Sequence, residues 1–324
     1  MTSKEIVKRT LNFENPERVA QSFTKSDFIH TGPSVKTHAT EWKKVDDEKW
    51  ERLDEWGNLW ARIEETSKGE VEKGVLDKIS DIKEYEFPDF SNPADYERVK
   101  DVVRENPDTY VIGGLPGFTF NIARKLLKLD QYLMDLMLEP ELIKVLHDKV
   151  DVMLMDMINN YLAAGVDGVM LCEDWGTQKQ TLISPELWRQ EFFPRTSKLC
   201  AIAHNGGLKV LMHSCGCIEK IVPGLIEAGI DCLQFDQPTL HGIDQLAAYQ
   251  ENAKITFWCP VDIQKTLQTH DEQLIRGEAR EMIDKLWQGR GGFIAGIYPD
   301  NASIGLEPKW QEMACDEFLK VGIR

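Results

Sequence analysis

The sequence contains no long apolar run, no low-complexity segment and no internal repeat at a short fixed period. No uncharged apolar stretch approaches the roughly 20 residues that a membrane-spanning helix requires. The opening MTSKEIVKRTLNFENPERV lacks the apolar core of a secretory signal peptide. These absences argue against a membrane protein and predict a cytoplasmic location.

Positive charge is also scarce. The chain has 38 Lys and Arg residues against 54 Asp and Glu residues, a net charge of −16. This field repels a phosphate backbone, so nucleic acid is not expected as a partner. The seven cysteines are an odd number in a chain of 324 residues. That count argues against a secreted disulfide framework and favours reduced thiols, some of them as metal ligands.

What is present, from about Tyr110 onward, is a series of short apolar runs that alternate with segments of helical period. Such alternation is typical of βα units around a parallel sheet. Strands are predicted at residues 109–114, 165–174, 208–216, 231–236, 255–259 and 291–298. Helices are predicted at residues 138–164, 186–206, 217–229 and 272–288.

One or two further strands in the first hundred residues would complete a distorted (β/α)8 TIM barrel. We expect one barrel domain over residues 1–324, in which residues 1–108 form an irregular N-terminal cap and the first strands. Four tryptophans, at positions 42, 50, 56 and 60, are predicted to pack inside this cap.

Polar side chains stand where the predicted strands end. The apolar runs finish in Glu173-Asp174, His213-Ser214-Cys215, Asp236-Gln237, Cys259 and Tyr298. In a barrel of this kind the carboxyl ends of the strands share one rim, and active sites lie there. The sequence therefore predicts a functional site at that rim.

The spacing His213-x-Cys215 is typical of a metal site. Residues two apart on a strand point to the same face, so the imidazole and the thiolate can bind one ion, and zinc suits this pair. A buried histidine beside a structural cysteine is the alternative. A catalytic zinc site needs a third protein ligand, and the candidates are Cys259, Glu173 and Asp174.

The acidic pair Glu173-Asp174 is predicted to supply a ligand, a base or a group that orients the substrate. The alternative is an ordinary helix cap, which is also the prediction for Ser184 of Ser184-Pro185-Glu186. Asp236 and Tyr298 are either substrate contacts or satisfied hydrogen-bonding groups of the rim. Trp175, Trp258 and Phe118 are either an aromatic substrate pocket or part of the core.

Several segments together resemble the uroporphyrinogen decarboxylase superfamily, and the resemblance covers nearly the whole chain. They are NPERV (15–19), GVDGV (165–169), EDWGTQ (173–178), LISPELW (182–188), HSCG (213–216), GLIEAGID (224–231), FWCPVDIQ (257–264) and GGFI (291–294). The resemblance implies the distorted barrel. It also implies one of two activities, porphyrinogen decarboxylation or zinc-dependent methyl transfer with a corrinoid protein.

The residues favour the methyltransferase branch. The decarboxylases carry an arginine-containing N-terminal segment where this chain has Val19-Ala20-Gln21-Ser22-Phe23, and His213-x-Cys215-Gly216 is similar to the zinc motif of the corrinoid methyltransferases. The coenzyme M methyltransferases place a third, cysteine ligand where this chain has Ile297-Tyr298-Pro299. This departure disfavours thiol activation and favours methyl ethers, unless Cys259 or Glu173 replaces that ligand.

The segments EDWGTQ and FWCPVDIQ are similar to those of aryl-ether O-demethylases. The resemblance therefore implies methyl transfer from a methoxylated aromatic to the cobalt(I) of a separate corrinoid protein that docks over the barrel mouth. Zinc would be held by His213, Cys215 and Cys259, with Glu173, Asp174 and Tyr298 as catalytic groups. The chain has no D-x-H-x-x-G pattern, so the cobalamin is expected on a partner. The alternatives are a thiol methyltransferase, a uroporphyrinogen decarboxylase and a non-catalytic corrinoid-binding module.

Overall fold

The computed structural model describes residues 1–323. Its strands are β1 Ala20–Gln21, β2 Phe28–Thr31, β3 Lys43–Lys44, β4 Trp50–Leu53, β5 Leu59–Arg62, β6 Glu70–Lys73, β7 Tyr110–Gly114, β8 Gly168–Cys172, β9 Lys209–His213, β10 Cys232–Gln234, β11 Thr256–Cys259 and β12 Phe293–Ala295. Its α-helices are α1 Ser3–Asn12, α2 Glu97–Glu105, α3 Thr119–Leu126, α4 Leu129–Leu138, α5 Pro140–Ala164, α6 Pro185–Leu187, α7 Phe193–Asn205, α8 Val222–Ala228, α9 Ile243–Asn252, α10 Glu272–Met282 and α11 Pro308–Val321.

Eight parallel strands form a nearly closed barrel. The hydrogen-bonded order is β1-β12-β11-β10-β9-β8-β7-β2, so the strands follow one another around the barrel in chain order. The predicted barrel is confirmed, and β1 and β2 are the two further strands expected in the first hundred residues. The strands are shorter than predicted because their polar last residues turn out of the sheet into the rim loops.

A second, antiparallel sheet stands outside the barrel strands. It has the order β3-β4-β5-β6 and covers residues 43–73. We call it the cap sheet. Within residues 1–323, no helix is long and apolar enough to cross a membrane.

The apolar core lies in two layers separated by the barrel wall. Inside the barrel, Leu211, Cys232, Trp258 and Ile294 pack together with other inward side chains. Outside it, a larger cluster joins the strands to the helices. This division follows from the period of two along each strand, and it decides which rim residues face the barrel axis.

Candidate functional site

Side chains that point to the same face of neighbouring strands meet at the rim of the barrel. The register pairs Cys172 with His213, His213 with Gln234, and Gln234 with Trp258 on successive strands. These residues alternate with outward-facing ones, so they form one inward layer. Two residues further along, past the strand ends, the same alternation leads to Asp174, Cys215 and Asp236.

Two groups of potential metal ligands result, and both contain His213. The first comprises His213, Cys215 and Asp236, and the second comprises His213, Cys172 and Asp174. In each group the ligand atoms lie within 4.8 Å of one another. The predicted pair His213-x-Cys215 is thus accompanied by carboxylates, a donor set of nitrogen, sulfur and oxygen that zinc accepts.

Gln234 connects the parts of the first group. Its side-chain oxygen pairs with Nδ1 of His213, and its amide nitrogen donates to Oδ1 of Asp236 over 2.8 Å. An Nδ1–H that donates to Gln234 leaves the Nε2 lone pair of His213 free for a cation. The sequence analysis missed Gln234, although its position two residues before Asp236 on one strand was a usable signal.

Charge concentrates around His213. Nε2 lies 3.2 Å from the Cys215 sulfur and 3.5 Å from Oδ1 of Asp174. Burial lowers the pKa of His213, but the Asp174 carboxylate and the Cys215 thiol outweigh burial and raise that pKa well above its usual range. Burial raises the pKa of Asp174, and the hydrogen bond from His213 reverses this and lowers the pKa overall. The Asp174 carboxylate and the Cys215 thiol thus favour positive charge at this point.

The two groups differ in how free their ligands are. Cys172 is largely buried, and burial raises the pKa of its thiol to about 12. Oδ1 of Asp174 accepts a hydrogen bond from the Cys215 backbone over 3.1 Å, while Oδ2 lies 3.5 Å from Arg124. Cys215 is exposed, so the group of His213, Cys215 and Asp236 is the more available one.

Glu173 does not accompany Asp174 into the site. Its parity is that of the outward layer, and its Oε1 accepts from the backbone nitrogens of Phe118 over 2.6 Å and Asn121 over 2.9 Å, at the start of α3. Burial raises the pKa of Glu173 to about 8. The structure therefore gives Glu173 the role of a buried helix cap, which corrects its prediction as a metal ligand or base.

Cys259 also faces the wrong way for the predicted role. It is fully buried in the outer cluster beside Phe257, whereas its neighbour Trp258 points into the barrel. Cys259 belongs to neither of the two ligand groups of the described residues. Asp236, rather than Cys259, shares a group of potential ligands with His213 and Cys215.

The predicted aromatic pocket is not assembled at the rim. Trp175 is buried and stacks on Phe120 at 4.1 Å between ring centroids, behind the barrel wall. Phe118 is buried in the same outer cluster. Trp258 lies inside the barrel, stacked on Phe28 at 4.6 Å, and its indole nitrogen donates to Ser22. All three are core residues in this structure.

Tyr298 keeps a position near the site. Its hydroxyl lies 3.3 Å from Oγ of Ser303, and Nζ of Lys68 stands 4.9 Å from its ring centroid. The hydrogen bond to Tyr298 and the charges of Asp236 and Cys215 raise the pKa of Lys68 against an opposing effect of burial. The turn between β5 and β6 thus brings Lys68, which the sequence analysis missed, to the barrel mouth.

The rim loops meet at two glycines. A Cβ on Gly216 would lie 2.4 Å from the carbonyl carbon of Gly176, and Gly216 has φ +76°, which an L side chain rarely adopts. The backbone nitrogen of Cys217 donates to the Thr177 carbonyl over 2.7 Å. This close approach holds Asp174 and Cys215 on neighbouring loops at hydrogen-bonding distance.

A cavity of about 1150 Å³ opens between the barrel rim and the cap sheet. Trp42 and Trp60 line it, which corrects the prediction that these tryptophans pack inside the cap, whereas Trp56 is fully buried as predicted. The ionic side chains of its lining are Arg52, Arg62, Lys68, Arg124, Lys125 and Lys128 together with Glu65, Glu70, Asp130, Asp174 and Asp300.

A barrel with polar side chains at the carboxyl ends of its strands and a cavity beside them has the architecture of a TIM barrel, in which small molecules commonly bind at the mouth. The sequence model of the uroporphyrinogen decarboxylase (URO-D) family matches residues 61–300. This chain belongs to that family.

One solved structure agrees on the fold. A methyltransferase from Methanosarcina mazei superposes with a TM-score of 0.55 at 16% identity, over 82% of this chain and 73% of that one. A 3-keto-D-glucoside 4-epimerase from E. coli gives a TM-score of 0.43 at 13% identity, over 76% of this chain and 94% of that one. No curated protein matches the chain. At these identities the likeness concerns the barrel and leaves the reaction to the site residues.

Proposed function

We propose that this protein moves a methyl group from a methoxylated aromatic to the cobalt(I) of a separate corrinoid protein, with zinc bound by its own residues. The observation that carries the proposal is the group of His213, Cys215 and Asp236 at the mouth of the barrel. The methyltransferase name of the Methanosarcina mazei structure and the motif resemblance point in the same direction.

The donor set fits zinc. A nitrogen, a sulfur and a carboxylate oxygen lie within 4.8 Å of one another, and Gln234 orients two of the three ligands. Three protein ligands leave one position open in a tetrahedral zinc site, which is the pattern of catalytic rather than structural zinc. When bound, zinc supplies a Lewis acid that stabilises negative charge on the ether oxygen.

The remaining groups of the chain act on the leaving phenolate. A phenol has a pKa near 10, so its oxyanion is a reluctant leaving group and needs stabilisation. We assign this role to the Tyr298 hydroxyl, as donor to the leaving oxygen, and to the Lys68 ammonium beside it. Asp174 holds His213 in place through its carboxylate. The corrinoid protein has to reach the same cavity, so it docks over the barrel mouth.

Metal content tests the first half of the proposal. We expect about one zinc per purified chain by elemental analysis, and near-complete loss in His213→Ala, Cys215→Ser and Asp236→Asn. The matched control is Cys217→Ser, since Cys217 lies outside both ligand groups. A wild-type protein that binds no zinc when grown with zinc contradicts the proposal.

Product analysis tests the second half. Wild type with cobalt(I) corrinoid protein and a methoxyarene should release the free phenol, and His213→Ala should not. Formation of a methyl thioether from an added thiol would instead identify a thiol methyltransferase. Release of carbon dioxide from uroporphyrinogen would identify a decarboxylase.

A further inference from the structure

One face of the cap sheet alternates indole and guanidinium groups. The antiparallel register places Trp50 opposite Arg62 and Arg52 opposite Trp60 on β4 and β5. Directly opposed residues share a face, so these four side chains project to the same side of the sheet. Trp42, just before β3, joins them through contacts with both arginines. We call these five residues the Trp–Arg ladder.

The ladder is held in place without using the arginines' hydrogen bonds. The Arg52 guanidinium carbon lies 5.1 Å from the Trp42 ring and 5.3 Å from the Trp60 ring. The Arg62 guanidinium carbon lies 4.5 Å from Trp42 and 5.8 Å from Trp50. Trp60 is fixed in turn by the buried Asp54, which accepts its indole N–H over 2.7 Å. The ring faces orient both guanidinium groups and leave their N–H edges free.

Those N–H edges have almost no partner in the chain. Among residues 1–323, no carboxylate oxygen lies within 4.0 Å of Arg52 or Arg62, and the buried Nε of each has no hydrogen-bond partner. Arg62 makes one bond, from Nη1 to the Ser67 carbonyl over 3.3 Å. In a chain with 16 more acidic than basic residues, two adjacent arginines without a carboxylate require an explanation. The charge of both guanidinium groups is thus not neutralised by a carboxylate of the described residues, and a bound anion would neutralise it.

The ladder faces the cavity that reaches Asp174, and Oδ1 of Asp174 lies 3.5 Å from Nε2 of His213. Trp42, Arg52, Trp60 and Arg62 line the same cavity as Asp174. Apolar surface for a ring is provided there by Leu129 and Leu133. A ligand that fills this cavity is therefore polar and anionic at the cap end and apolar in its body.

We propose that Arg52 and Arg62 bind a carboxylate carried by the aromatic substrate, at the end remote from the metal site. The assignment of that ligand as the methyl donor rests on the proposed function, whereas the anion site itself rests on the ladder. The indole faces are already occupied, so recognition occurs along the guanidinium edges, whose paired N–H groups match a carboxylate. Arg52 and Arg62 line the cavity itself, which suits a small molecule better than a phosphate at a docking surface.

Binding of simple probes tests the anion site without metal, corrinoid or turnover. Calorimetric titration of zinc-free wild-type protein should show benzoate binding at least about tenfold more tightly than benzamide, which has the same shape without the charge. Arg52→Gln and Arg62→Gln should each remove most of this preference. Arg98→Gln is the matched control, because Arg98 is exposed and lies outside the cavity lining, and it should leave the preference unchanged.

Equal affinities of wild type for benzoate and benzamide would overturn the proposal, and this comparison depends on no variant. Phenyl phosphate that binds far more tightly than benzoate, with the same arginine dependence, would overturn it in favour of a phosphate site. Methyl-transfer assays with 3-methoxybenzoate and 3-methoxybenzamide separate the two proposals. Arginine-dependent benzoate binding without any turnover would refute the proposed function alone. Equal KM values for the two ethers would refute the carboxylate site alone.

Discussion

The helix layer around the barrel and the cap sheet use arginine in opposite ways. Arg195 on α7 forms ion pairs with Asp148 and Asp151 on α5 and with Glu191. These ion pairs join the two helices. Arg52 in the cap sheet has indole rings as neighbours and no carboxylate. A cation whose hydrogen bonds are satisfied inside the chain stabilises the fold, whereas one that is oriented but unpaired is available to a ligand.

The largest effect that tests this comparison is on stability. Arg195→Gln leaves the buried Asp151 without its cation, whereas Asp148 and Glu191 keep Lys144 and His147 as partners, and we expect the free energy of unfolding to fall by about 4 kcal/mol. Arg52→Gln removes two cation–π contacts and should cost only about 1 kcal/mol. Urea denaturation of both variants provides the measurement. Equal losses would show that Arg52 is as structural as Arg195.

Glycine substitutions come next and compare the two regions at close backbone contacts. Gly216→Ala at the barrel rim should lose about 3 kcal/mol of stability, since a positive φ and contact with Gly176 both penalise a Cβ. Gly242→Ala has φ +79° but no atom within 4 Å of the added Cβ, so as the control it should lose only about 1 kcal/mol. The difference between the midpoints of thermal unfolding of the two variants measures the effect of the contact with Gly176.

In the cap sheet the same change should act on binding as well as on stability. A Cβ on Gly69 would lie 2.7 Å from the Trp42 ring and 2.6 Å from the Ala61 carbonyl oxygen. Gly69→Ala therefore displaces Trp42 from the two arginines, and we expect benzoate affinity to fall about tenfold. Unchanged benzoate affinity, measured by calorimetry, would show that Trp42 does not orient the arginines.

His241, which follows β10 of the barrel, is expected to make the free energy of unfolding depend on pH. His241 stacks on Phe235 at 4.2 Å, and burial lowers its pKa to about 4. Below about pH 6.5 the His241 imidazole becomes protonated in the unfolded chain, whereas in the folded chain it stays neutral until about pH 4. The free energy of unfolding therefore decreases as the pH falls through this range. His241→Phe should remove up to about 3 kcal/mol of the loss between pH 7 and pH 4. Urea titrations at both pH values, with chelator present, measure it, and identical pH dependence in both proteins would contradict the assignment.

A further effect concerns the support of the proposed metal site. Gln234→Leu removes the partner of both His213 and Asp236, and zinc affinity should fall by about 10-fold to 100-fold. Gln237→Leu is the control, because Gln237 pairs with Gln178 rather than with a proposed ligand. Competition with a chelator gives the two affinities. A loss in Gln237→Leu as large as that in Gln234→Leu would remove the argument for orientation.

The sequence by itself determined the barrel, the rim and the pair at its centre. Alternating apolar runs and helical segments specify strands because burial of both faces of a parallel strand leaves a local pattern. The N-cap predicted at Ser184 is confirmed by its hydrogen bond from the Leu187 backbone over 3.1 Å, since a cap is also a local feature. His213 and Cys215 share a face because both stand on one strand end.

Only the tertiary structure decided which neighbours these residues have. Trp258 and Cys259 are adjacent, as are Glu173 and Asp174, and strand parity turns one of each pair inward and the other outward. The Trp–Arg ladder and Lys68 lie within residues 42–68, far in sequence from the rim residues. The pairing of the cap sheet brings them to the barrel mouth. Composition shows an acidic chain, but the packing of the cap sheet determines where its unpaired cations lie.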